Sequence, residues 1–204
     1  MACIAHTGEA YSLDDSAEDD FNLTSMCLRD DRPGWNRKTD CGKDAKVLEV
    51  QAALALEPRL RLFLSPWSPP TWMKTSGEFS GGHLKGLGPS SADKRYVEAW
   101  ARSYVKFVDL WQERNVTFWG LTVLNEPGGD QFISWNSMGL SGADEKELVE
   151  VLGPLIKAKH PSIKLMIHDD QVYALKSRLE GSGAGILDSP HVDGIAFHWQ
   201  VPCY

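Results

Sequence analysis

The sequence has no excess of basic residues. Lys and Arg number 21 against 28 Asp and Glu, a formal net charge of −7 and a pI near 5.3, which argues against a nucleic-acid partner, since that needs a basic face. It has no CxxC pair and no Cys/His spacing of the zinc-binding kind, so no metal is expected; Cys3, Cys27, Cys41 and Cys203 are scattered, and their disulfide pairing stays open. It has no apolar run of membrane-spanning length and no G-x-G-x-x-G or P-loop after a strand. Met1–His6 shows no basic segment leading into an apolar core, so no signal peptide is visible. What the chain does have is tryptophan, eight in 204 residues. Indoles fill cores and also make flat platforms for sugar rings, with packing the weightier reading for any single one. The rest is ordinary globular material, 42% hydrophobic and 24% charged. The length suits one domain or part of a larger one.

Residues 1–45 read as irregular, with an acidic, solvated stretch from Asp14 to Asp20. A helix over 45–57 is stopped by Pro58, and an apolar strand over 59–65 is ended by Pro66. The Pro-, Gly- and Ser-rich stretch 66–92 is a long loop of the kind that carries function, in which His83 and Lys85 read as solvated. A helix over 93–114 follows, with Tyr96, Val97, Trp100, Tyr104, Phe107, Val108 and Trp111 on one side and Asn115 at its end. Then come a buried strand over 116–124, a Gly-rich loop over 127–142, a helix near 143–159, a strand over 163–168, a helical segment near 171–180 and a strand over 192–198. Strand alternating with helix implies a parallel sheet, either doubly wound or a (β/α)8 barrel. Ser65, Asn125, Glu126, Asp169, Asp170 and His198 cluster just past the C-terminal strand ends, the face on which a barrel builds its active site.

Asn125-Glu126-Pro127 is the candidate chemistry. Glycoside hydrolysis uses two carboxyl groups, one of them holding a proton near working pH. Glu126 sits among Trp119, Leu124 and Pro127, and burial of that kind raises a carboxyl pKa. Asn125 supplies a neutral amide for a sugar hydroxyl. Alone, the triplet reads more readily as a strand-capping turn. Trp72 reads as packing, and His198 reads equally as a satisfied core histidine.

The surrounding blocks are more specific. They are Ser65-Pro66-Trp67-Ser68-Pro69-Pro70-Thr71-Trp72-Met73-Lys74, His83-Leu84-Lys85-Gly86, the run from Trp100 to Pro127, Asp169-Asp170-Gln171, and Gly194-Ile195-Ala196-Phe197-His198-Trp199. In this order they resemble glycoside hydrolase family 30, and within it the lysosomal glucosylceramidases, over roughly residues 19–199. The resemblance implies a retaining β-glucosidase on a (β/α)8 TIM barrel that cleaves glucosylceramide to glucose and ceramide without a cofactor. It implies lysosomal residence, an activator-protein partner and contact with a membrane surface. By the same resemblance Glu126 is the acid/base and Asn125 holds the sugar 2-hydroxyl. Trp67 and Trp135 line the glucose pocket, His198 and Trp199, which follow the sixth barrel strand, bind substrate, and Asp169, Asp170 and Gln171 form a supporting shell.

Ala2-Cys3-Ile4-Ala5-His6-Thr7 lacks the sugar-binding Asp of the family's corresponding segment, and the family's His-Trp-Tyr is here His198-Trp199-Gln200. The family's nucleophile belongs to a seventh strand. The expectation is therefore an incomplete barrel, roughly strands 2–6, over residues 1–204, with the nucleophile, the later strands and an accessory β-domain absent, and poorly folded and inactive as a free chain. The alternatives are another family 30 glycanase, such as a xylanase, or a non-catalytic carbohydrate- or lipid-binding protein.

Overall fold

A computed structural model describes residues 2–7, 19–28, 45–128 and 135–198. Among these residues five strands make one sheet: β1 (Ala2–Thr7), β2 (Leu62–Ser68), β3 (Gly120–Thr122), β4 (Lys164–Asp170) and β5 (Gly194–Phe197). Each pairs in parallel with the next, and their spatial order is their chain order. A doubly wound sheet reverses direction at a switch point. Unbroken order with helical crossovers is instead the arc of a (β/α)8 barrel.

The crossover helices are α1 (Ala45–Leu56), α2 (Arg95–Gln112) and α3 (Gly142–Lys159), with a short α4 (Val172–Lys176) after β4. Helix α2 buries the face that its spacing marks: Val97, Trp100, Tyr104, Phe107, Val108 and Trp111. Trp111 meets Phe118 edge-on at 5.7 Å, and the Tyr104 hydroxyl donates to Val123 O, tying the helix to the segment after β3. Asn115 ends the helix at a left-handed φ of 59°. Its N–H reaches Gln112 O and that of Val116 reaches Trp111 O, the paired bonds of a Schellman motif. Helix α3 starts on a capping box between Ser141 and Asp144.

Several expectations are corrected. Residues 2–7 form a strand rather than irregular chain, because β2 supplies a parallel partner along their whole length. The strand expected to stop at Pro66 runs on to Ser68. In a parallel ladder the N–H and C=O of one residue face the same neighbour. Pro66 O accepts from Asn125 N at 2.7 Å, while the β2–β3 ladder ends at Leu64 and Leu121, so the missing N–H faces a side where no ladder bond is required. The expected strand over 116–124 is regular only over Gly120–Thr122, and the expected helix over 171–180 becomes α4 followed by a π-turn over Ser177–Ser182.

The loop after β2 is also more ordered than its composition suggests. Trp72 packs against Phe21 and Tyr96, while the Lys85 ammonium donates to Trp72 O and sits over the Tyr96 ring rather than in open solvent. Lys74 is fully buried and donates to Phe79 O and Ser137 O, joining the loops that follow β2 and β3. On β5, Ile195 and Phe197 are exposed.

Trp111 is wholly enclosed. Trp111→Ala is expected to cost about 3–5 kcal/mol, read as a lowered midpoint in urea unfolding.

Candidate active site

The C-terminal ends of β2, β3, β4 and β5 bring together Ser65, Asn125, Glu126, Asp169, Asp170 and His198. Asp169 is at the centre. Its carboxylate accepts from Ser65 Oγ and from Thr122 Oγ1, both at 2.6 Å, and faces His198 Nε2 at 3.3 Å. Its carbonyl accepts from Glu126 N at 2.9 Å. The other ring nitrogen of His198, Nδ1, lies 3.0 Å from Glu126 Oε1, so the imidazole bridges two carboxylates. Gln171 Nε2 reaches the same Glu126 oxygen at 3.5 Å. Asp170 turns away, accepting from Gly128 N and Gln171 N and so holding the start of the loop that follows Glu126.

The two carboxylates differ in access. The Asp169 side chain is 6% exposed and that of Glu126 is 43% exposed. The expectation of a buried Glu126 is therefore corrected. Leu124 and Pro127 are buried beneath it, but a left-handed φ of 45° at Glu126 lifts its side chain to the open face. His198 is 20% exposed and is held from both sides, which is more than a core histidine needs. Hydrogen bonding to Asp169 raises its pKa above the ordinary 6.5, against the lowering effect of burial and with help from Glu126. His168, one residue before Asp169, is pushed the other way by burial.

Trp67 is half-buried at the end of β2, and Trp135 stands 48% exposed. The hydrogen-bond network among the described residues does not include either ring. Trp199 lies outside the described residues, as does the loop 129–134 before Trp135. Among the described residues no group of His, Cys, Asp and Glu has a metal-binding arrangement. Thr122 is a member of the site that sequence reasoning missed. As one polar residue in an apolar strand, its only signal was that interruption.

Residues 1–202 match the family model described as the glycosyl hydrolase family 30 TIM-barrel domain. The chain belongs to glycoside hydrolase family 30. It is 33% identical to "Putative glucosylceramidase 3" of Caenorhabditis elegans over 100% of this chain and 37% of that protein. It is 31% identical to the "Lysosomal acid glucosylceramidase" of Mus musculus over 98% of this chain and 37% of that protein. The family 30 chain thus spans somewhat over a third of the length of these relatives. Among solved structures, SrfJ from Salmonella typhimurium superposes with a TM-score of 0.71 at 22% identity, over 97% of this chain and 42% of that one, a likeness of fold.

Because the folded state holds the His198 proton more tightly than the unfolded chain, its stabilising contribution is full below pH 6.5 and is lost as pH rises through the raised value. His198→Gln should therefore cost most stability in acid, with the gap to wild type closing as pH rises. Urea unfolding of both proteins across a pH series checks this, and a gap independent of pH would contradict it.

Proposed function

We propose that this chain carries the proton-donating half of a retaining β-glucosidase site, with Glu126 as the acid/base. The observation that supports it best is the difference between the two carboxylates joined by His198: Glu126 opens to solvent at the barrel's C-terminal face, while Asp169 is enclosed and has both oxygens facing partners within the protein. Only the open one can meet a glycosidic oxygen. Once Glu126 has given up its proton, the His198 ring, backed by Asp169, donates to the resulting carboxylate and lowers the energy of the charge that develops there. The same carboxylate then takes a proton from the water that releases the sugar. In this reading Asn125 holds the 2-hydroxyl, Trp67 and Trp135 wall the pocket, and Trp199 joins them. Asp169, Asp170 and Gln171 hold the acid/base and its loop in place.

Retention requires a second carboxylate about 5–5.5 Å from the first. Asp169 does not qualify, because its oxygens are committed within the protein. That role falls to a residue outside those described here. The substrate we infer is glucosylceramide, cleaved to glucose and ceramide, in line with the names of the relatives. A lysosomal setting, an activator protein and a membrane surface that presents the lipid belong to the same proposal.

In the full-length protein that contains this chain, Glu126→Gln is expected to reduce glucosylceramide hydrolysis by roughly 10²–10⁴-fold. A glucoside whose leaving group departs without protonation should still release that group in a first-turnover burst. Undiminished turnover of glucosylceramide by the variant would place the acid/base elsewhere, and cleavage of xylan alone by the wild type would reject the substrate.

A further inference from the structure

Glu145 lies on α3, in the helix layer outside the sheet, yet its side chain is 0% exposed. Both of its oxygens are used. Oε1 accepts from the backbone N–H of His168 at 2.8 Å, and Oε2 accepts from Nε of Arg178 at 2.8 Å, on a side chain only 10% exposed. Burying an ion pair costs desolvation that its own attraction does little more than offset, and apolar side chains of similar size often serve stability as well. The pair therefore calls for an explanation other than packing.

That explanation lies in what Glu145 grips. His168 and Asp169 have φ of 78° and 44°, left-handed values that are uncommon for residues other than glycine, though His and Asp take them more often than most, and two in a row at a strand end are unusual. The β4–β5 register shifts across the same residues. A bulge of this kind re-aims side chains at a strand end, and the strain persists only where its surroundings hold it. Here it directs the Asp169 carboxylate at His198 and the Asp169 carbonyl at Glu126 N. His168 is wholly buried, its Nε2 lies 3.1 Å from Gln171 O, and burial lowers its pKa, so the positive partner of Glu145 is Arg178. The placement of Arg178 is set by direct backbone packing. Gly142, at the start of α3, meets the π-turn so closely that a Cβ there would stand 2.6 Å from Arg178 O, and its N–H donates to Ser182 Oγ.

We propose that Glu145, paired with Arg178, is a positioning residue for the candidate acid/base: from the helix layer it clamps the backbone of the His168–Asp169 bulge and thereby fixes Asp169 against His198 and Glu126. The assignment rests on the reading of Glu126 as proton donor. No substrate or cofactor touches Glu145. It acts through His168 N, then Asp169, then His198 and Glu126.

The test is NMR titration of the His198 ring in the full-length protein that contains this chain, which requires no turnover. Among the described residues, Asp169 and Glu126 are charged groups that face this ring. In Glu145→Leu/Arg178→Met both buried charges go together and the clamp is lost. In Glu145→Asp the carboxylate keeps its charge for Arg178 but is one methylene short of spanning both partners. Both variants are expected to bring the His198 midpoint back toward 6.5 from its raised wild-type value, with circular dichroism unchanged. Leu148→Ala, a buried change on the same helix that leaves the clamp intact, should lower stability and leave the midpoint alone. An unmoved midpoint in the folded double variant or in Glu145→Asp overturns the proposal, as does an equal shift in Leu148→Ala. Because the readout is independent of hydrolysis, failure here is distinguishable from failure of Glu126→Gln in the activity assay.

Discussion

The carboxylate of Asp169 is almost sealed from water, and a charge so placed is tolerable only while donors surround it. Those donors come from the other strands: Ser65 on β2, Thr122 on β3 and His198 just after β5. Four consecutive strands thus converge on one group, and none of their ends can slip without leaving that charge short of a partner. The parallel ladder sets the order of the strands, and Asp169 sets the level at which they finish. The open carboxylate of Glu126 is placed as a consequence, through its backbone bond to Asp169 O and its contact with the shared His198 ring.

This division of labour separates two acidic side chains within one cluster. One has both carboxylate oxygens engaged within the protein, and the other keeps part of its surface open to solvent. An imidazole lies between them, within reach of both. Site geometry of this kind needs rigid supports, and the chain provides them with ordinary means: a helix face of large aromatics, a buried lysine linking two loops, and glycines that let α3 touch the following π-turn.

Much of this was legible in the residues. The aromatic spacing of α2 marks its buried face, Asn115 marks its end, and the recurrence of polar residues after apolar runs marks the C-terminal face of the sheet. Asn125-Glu126 stood out through the blocks around it, since the triplet alone reads more readily as a strand-capping turn. What was not legible depended on partners distant in sequence. Residues 2–7 carry little strand signal of their own and are extended because β2 lies beside them. Pro66 looked like a terminator because the side its nitrogen faces is set by β3. Left-handed His168 and Asp169 cannot be foreseen from residue type, since only a few per cent of non-glycine residues take positive φ even though His and Asp do so more than most. Glu145 resembles any acidic residue in the first turn of a helix, where a favourable interaction with the helix dipole would explain it.

The left-handed turn at Asn115 has a consequence for the outer surface. Asn115-Val116-Thr117 is an acceptor triplet for N-linked sugar, and both Asn115 and Thr117 are exposed. The turn precedes β3, so it lies at the pole of the sheet opposite the strand ends that carry Glu126. An oligosaccharide built on Asn115 would project from the floor of the barrel arc. It would leave the approach to the carboxylates clear.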